Sequence, residues 1–162
     1  MSRLDSFIRR LEAQRACLNR AATLIAALSG NVLEFGLGNG RTYDHLRETL
    51  RGRDIYVFER KVAAHPDCIP PDDRLFLGDF LDTLPKAIAR LGQATALANL
   101  DIGSGDEAAS QALARIMTPY VVPLLTKGGI VISDQPMVDS ALEPLTLPDG
   151  IKPGRYFLQR RR

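Results

Sequence analysis

The residues best placed to do chemistry lie in one stretch, Val32-Leu33-Glu34-Phe35-Gly36-Leu37-Gly38-Asn39-Gly40. Glycine reaches positive φ and puts no Cβ between the backbone and a ligand. The apolar run before the glycines reads as a buried strand. Thr42-Tyr43-Asp44-His45-Leu46-Arg47-Glu48-Thr49-Leu50 reads as the helix after them, its first N–H groups unpaired. Strand, Gly-x-Gly turn and helix start together form the nucleotide-holding device of doubly wound α/β folds, although an ordinary tight turn uses the same residues. Acids then close the later apolar runs. Glu59 ends Ile55-Tyr56-Val57-Phe58 about 20 residues beyond the turn, where a carboxylate can accept from both hydroxyls of a ribose. Asp101 and Asp134 each follow a further strand, at the sheet end where open α/β folds bind ligands. Tyr43, His45 and His65 are additional candidates for a general base, with no sequence partner to fix a role.

The dinucleotide fingerprint G-x-G-x-x-G/A fails here, because its third small position falls on Arg41. The pattern E-x-G-x-G-x-G instead resembles the first motif of the class I S-adenosylmethionine-dependent methyltransferases, and the matches continue in that family's order over 32–134. The compact length is similar to a small bacterial group of such methyltransferases whose substrate is unassigned. The resemblance implies S-adenosyl-L-methionine as cofactor and S-adenosyl-L-homocysteine as product. The turn at 36–38 would lie against the methionine portion, with Glu34 holding its ammonium directly or through water. Asp79 would accept from the adenine amino group with Phe80 against the ring; alternatively Asp79 caps the next helix, a role for which Asp82 competes. The implied cofactor contacts are Glu34, Phe35, Gly36, Leu37, Gly38, Asn39, Gly40, Thr42, Tyr43, Glu59, Arg60, Gly78, Asp79, Phe80, Asp101 and Ile102. Asp101 and Asp134 are the expected catalytic residues, a base being needed only if the acceptor must lose a proton. No metal-ligand spacing is present, so no metal is expected.

These residues need a scaffold, and the pattern supplies one: a Rossmann-like, doubly wound, mostly parallel sheet with an N-terminal helix and a short C-terminal antiparallel strand pair. One methyltransferase domain is expected over 1–162, with a helical cap at 1–30, a donor-binding core at 31–134 and C-terminal strands and tail at 135–162. Leu4, Ile8, Leu11, Leu18, Ile25 and Leu28 keep a helical period, and Ser2 with Asp5 makes a capping box. That helix would run to near Gly30, as one long helix or as two with a break around 14–17, and its arginines, Arg10 among them, read as a solvated face in preference to a basic lid or substrate surface. Thr118-Pro119 predicts a new helix start, 127–129 a turn, 142–147 and 154–159 the final strands, and Arg160-Arg161-Arg162 a frayed tail.

A length of 162 residues, 45% hydrophobic and 25% charged, suits one soluble α/β domain. A net charge of +2 argues against a general nucleic-acid binder, and no apolar run is long enough for a membrane span. Cys17 and Cys68 read as reduced thiols of a cytoplasmic protein. The function expected is methyl transfer by in-line displacement to a small-molecule acceptor, in a homo-oligomer whose N-terminal helix covers the donor or supplies an interface. The alternatives are a donor-binding subunit or sensor without catalysis and, less favoured, a nicotinamide-dependent oxidoreductase.

Overall fold

The computed structural model describes residues 2–162, so Met1 of the expected cap lies outside the described residues. Seven strands form one sheet in the order β3-β2-β1-β4-β5-β7-β6. They are β1 Asn31–Phe35, β2 Ile55–Glu59, β3 Leu75–Leu77, β4 Thr95–Leu100, β5 Leu125–Ser133, β6 Leu142–Pro144 and β7 Phe157–Arg161. The first five run parallel, and β7 pairs antiparallel with both β5 and β6. This is the Rossmann-like methyltransferase sheet that the resemblance implied. The helices are α1 Arg3–Leu24, α2 Arg41–Thr49, α3 Phe80–Leu91 and α4 Glu107–Val121.

Alternation along the central strands builds two cores, one on each face of the sheet. Val32 points to the face covered by α1 and α2, where Ala13, Cys17, Leu18, Ala21 and Leu46 are buried. Leu33 and Phe35 point to the face covered by α3 and α4. There Phe35 stacks on Phe58 at 4.3 Å and Phe58 on Phe76 at 4.7 Å, a ladder across three neighbouring strands.

Five local expectations are corrected. Helix α1 is unbroken through 14–17 and ends at Leu24, because Gln14 and Cys17 are buried and continue the inward face. Ser2 does cap it, with the reciprocal bonds to Asp5. Helix α4 does not restart at Thr118-Pro119; the Thr118 hydroxyl donates back to the Ala114 carbonyl at 2.7 Å, and packing of Met117 and Val121 carries the helix across the proline. The turn expected at 127–129 lies inside β5 as a bulge: Thr95 pairs with Leu125 but Leu97 with Ile130. The closing strands are shorter or shifted, and Pro144 sits on the edge strand β6, where no ladder N–H is required of it. The basic tail is structural. Arg161 donates to the carbonyls of Val122, at 3.0 Å, and of Leu125, while Arg160 and Arg162 flank Glu143.

Candidate functional site

The carboxyl ends of β1, β2, β4 and β5 are tied together through the backbone. The amide of Gly36 donates to the Phe58 carbonyl at 2.9 Å, that of Asp101 to Phe35 at 3.2 Å and that of Asp134 to Leu100 at 3.1 Å. The glycine turn rises from this edge. A Cβ on Gly36, at φ +88°, would lie 2.8 Å from the Asp101 carbonyl oxygen, so the turn must be glycine to pass β4. At Gly38, φ +53°, a Cβ would meet no protein atom within 4 Å. That open side faces a cleft of about 360 Å³ lined by Gly36, Leu37, Gly38, Asn39, Thr42, Glu59 and Asp101 from the sheet side. Phe7, Arg10, Leu11 and Gln14 of α1 form its lid, and Arg41, over the Phe7 ring at 5.8 Å, closes one flank.

Beyond its apolar packing, helix α1 has a polar anchor at the sheet end. Asp101 accepts from the Arg10 guanidinium at 2.6 Å and from the Gln14 side-chain amide at 2.8 Å. Arg10 therefore departs from the solvated face expected of the helix. Burial opposes its charge while Asp101 favours it, and the pair holds the guanidinium above its ordinary value. Glu59 stands at the cleft with every acceptor position engaged. One oxygen accepts from the amides of Leu37, at 2.8 Å, and Gly38, at 3.1 Å; the other accepts from those of Arg60 and Lys61. Beneath the turn, Glu34 is fully buried and accepts from the Thr42 hydroxyl and from the Asn99 amide at 2.8 Å. Burial pushes its carboxyl up to about 8, against the pull of those two donors. It reaches the cleft only through Thr42.

The other expected contacts fall elsewhere. Phe35 and Tyr43 are buried in the two cores, with the Arg47 guanidinium 5.0 Å from the Tyr43 ring. Gly40 caps α2 against Cys68. Gly78 joins the Glu59 carbonyl at 3.0 Å, which sets 78–80 beside the end of β2. Asp79, not Asp82, caps α3, accepting from the Leu81 amide at 3.1 Å, and Phe80 meets the edge of Phe35 at 5.9 Å. His45 bonds Asn19 at 2.7 Å, and His65 caps the exposed 3₁₀ segment Pro66–Cys68, accepting from the Asp67 amide; neither lines the cleft.

A second cavity, about 1030 Å³, opens on the far side of the Arg10–Asp101 pair. Asp134 lines it and accepts from the amides of Ile102, at 3.2 Å, and Gly103, at 2.8 Å. Burial first, and the nearby Asp101 charge second, hold the Asp134 carboxyl above the usual range. Tyr156, absent from the expected set, contributes a phenol that is 2% exposed. Gly103, Ser104, Gln111 and the segment 150–157 complete the wall with Arg9, Arg10, Glu12, Ala13 and Glu107. No helix among the described residues is long and apolar enough to cross a membrane.

Comparison with known proteins bears on the fold and the family. A family model described as S-adenosyl-L-methionine methyltransferase matches residues 1–161. The crystal structure of an S-adenosyl-L-methionine methyl transferase from Silicibacter pomeroyi DSS-3 is 48% identical, superposes with a TM-score of 0.95 and is covered over 99% of its chain by 100% of this one. Cofactor-bound Rv0187 from MTB, 15% identical, has a TM-score of 0.62 with 98% of this chain on 90% of that one. Human methyltransferase-like protein 13 in complex with SAH, 16% identical, has a TM-score of 0.59 over 98% and 80% of the two chains. These last two share the fold. No curated protein matches the chain.

Proposed function

The chain belongs to the S-adenosyl-L-methionine methyltransferase family, and from that premise we propose that it methylates a small molecule held beneath α1. The observation that carries this reading is that Arg10 lines both compartments, the cleft at the glycine turn and the larger cavity. Donor and acceptor would meet at the Arg10–Asp101 pair. The cleft suits the donor: its volume lies in the usual range for small-ligand sites, Gly38 leaves open the space a Cβ would fill, and Thr42, Glu59 and Asp101 line it.

When bound, S-adenosyl-L-methionine supplies an electrophilic sulfonium methyl for in-line displacement, so the protein's work is positioning and exclusion of water. In this reading Gly36, Leu37, Gly38 and Asn39 cradle the amino-acid tail, and Thr42, whose hydroxyl donates to the buried Glu34 carboxyl, accepts from the ammonium. Glu59 holds the turn in shape and meets the ribose as its loop amides yield. Residues 78–80 border the adenine. Asp101 aligns α1 over the reacting centre. Asp134 takes the acceptor's proton where one must leave, its raised basicity suiting that task.

The acceptor is small because α1, pinned at Asp101 and buried along Ala13, Cys17, Leu18 and Ala21, roofs the site. We assign the chain to the cytoplasm on its two free thiols, Cys17 and Cys68. A homo-oligomer is supported by Leu4, Phe7 and Ile8, exposed together on the first turns of α1. The test is transfer of tritiated methyl from the donor to a fractionated cell extract. Label in the fraction below about 1 kDa is expected; label confined to RNA or protein overturns the small acceptor, and no label favours the non-catalytic donor-binding reading.

A further inference from the structure

We propose that the cavity beside the donor cleft takes an acceptor bearing a carboxylate or phosphate group, which receives a hydrogen bond from the Tyr156 hydroxyl and is neutralised by Arg9, Lys152 and Arg155. This rests on the methyltransferase reading above and adds the chemical class of the acceptor. Tyr156 lies just before β7 and is almost wholly buried, yet its hydroxyl has no hydrogen-bond partner among the described residues. Buried polar atoms are rarely left unpaired, and one that is calls for an explanation such as a water, an ion or a functional role. The phenol is part of the wall of this cavity. Its charged neighbours are Arg10, Asp101 and Asp134, and burial keeps it protonated far above neutral pH, so it is a donor and not a base. Arg10 and Asp101 already bond each other, and Asp134 is engaged by two backbone amides. Arg10 lies beside the phenol oxygen but can only donate, so the O–H proton itself has no acceptor.

The cations are unusual in a different way. Arg9, Lys152 and Arg155 line the same cavity, and none makes an ion pair among the described residues. Lys152 and Arg155 lie within four residues of Tyr156 on the segment that enters β7. The lining also carries Glu12 and Glu107, the latter accepting from Gln111 at 3.2 Å. Those acids would repel an extended polyanion laid across the cavity, whereas one compact anionic group fits among the three cations and the phenol.

The probes are inorganic phosphate and malonate, titrated calorimetrically into the full chain already saturated with S-adenosyl-L-homocysteine. At least one should bind with a Kd of a few millimolar or tighter; phosphate alone would name a phosphorylated acceptor, malonate alone a carboxylic one. Lys152→Ala/Arg155→Ala, on exposed positions that leave the cores untouched, should weaken that binding at least tenfold, and Tyr156→Phe at least threefold. Affinity for S-adenosyl-L-homocysteine should stay within twofold in both variants. Binding of neither anion to the saturated wild type, or binding unchanged in the double variant, overturns the proposal. Failure of S-adenosyl-L-homocysteine to bind the wild type is a different result, since it removes the methyltransferase reading itself.

Discussion

Glu34→Gln separates the burial of a carboxyl from the shape of the site around it. Glu34 is fully buried, and its two oxygens accept from Thr42 and Asn99. Glutamine has the same outline and can still accept from Asn99 while meeting the Thr42 hydroxyl. The native carboxyl keeps its proton up to about 8, whereas the unfolded chain releases it near the ordinary 4.5. Between those values the folded state binds more protons than the unfolded one, so folding stability falls as pH rises. The contribution is fully present below 4.5 and is lost as pH passes through about 8. At ~1.4 kcal/mol for each tenfold change in the protonation equilibrium, its ceiling is about 5 kcal/mol. Urea unfolding at pH 5, 6.5 and 8.5, read by circular dichroism, measures it for both proteins. The wild type should lose roughly 2–5 kcal/mol more than the variant from the lowest to the highest pH, with equal m-values. A wild type that gains on the variant as pH rises would mean that Glu34 is ionised in the fold, and the burial argument would be wrong.

Gly38→Val should remove donor binding at a folding cost of about 1–2 kcal/mol, because the new side chain enters the cleft and sits at positive φ. Gly52→Ala, which also has positive φ and open space but lies away from the cleft, should show a folding cost without the binding loss; equal donor binding in both variants would make the turn structural only. Arg161→Ala should destabilise by about 2–4 kcal/mol, since the carbonyls of Val122 and Leu125 lose a charged donor. A thermal midpoint within a degree of wild type would return that residue to the frayed tail the sequence suggested.

The sequence was most informative where a physical signal is local. Short apolar runs, closed by glycine at Gly36 and by acids at Glu59 and Asp101, located β1, β2 and β4, and glycine spacing located the turn, because strand propensity and positive φ are properties of a few neighbouring residues. Capping at Ser2 was legible for the same reason. What escaped depends on distant partners. Whether the helix broke near Gln14 stayed open until that side chain met Asp101, and Arg10 read as solvated although it bonds the same carboxylate 91 residues away. Arg161 resembled a tail residue because the carbonyls it satisfies belong to the end of α4 and the start of β5. Asp79 and Asp82 were both plausible caps, and only backbone geometry chose Asp79. Tyr156 had no signal at all: a tyrosine inside the strand expected at 154–159 reads as core, and its unpaired hydroxyl is visible only in the folded chain.

The account turns on where the methyl group is presented, and a crystal structure with S-adenosyl-L-homocysteine measures that directly. The amino-acid tail should lie along 36–39 with the ribose at Glu59. The sulfur should stand beside the Arg10–Asp101 pair and face the cavity that contains Tyr156 and Asp134. A sulfur turned away from that cavity, or a ligand bound outside the cleft beneath α1, would contradict the account.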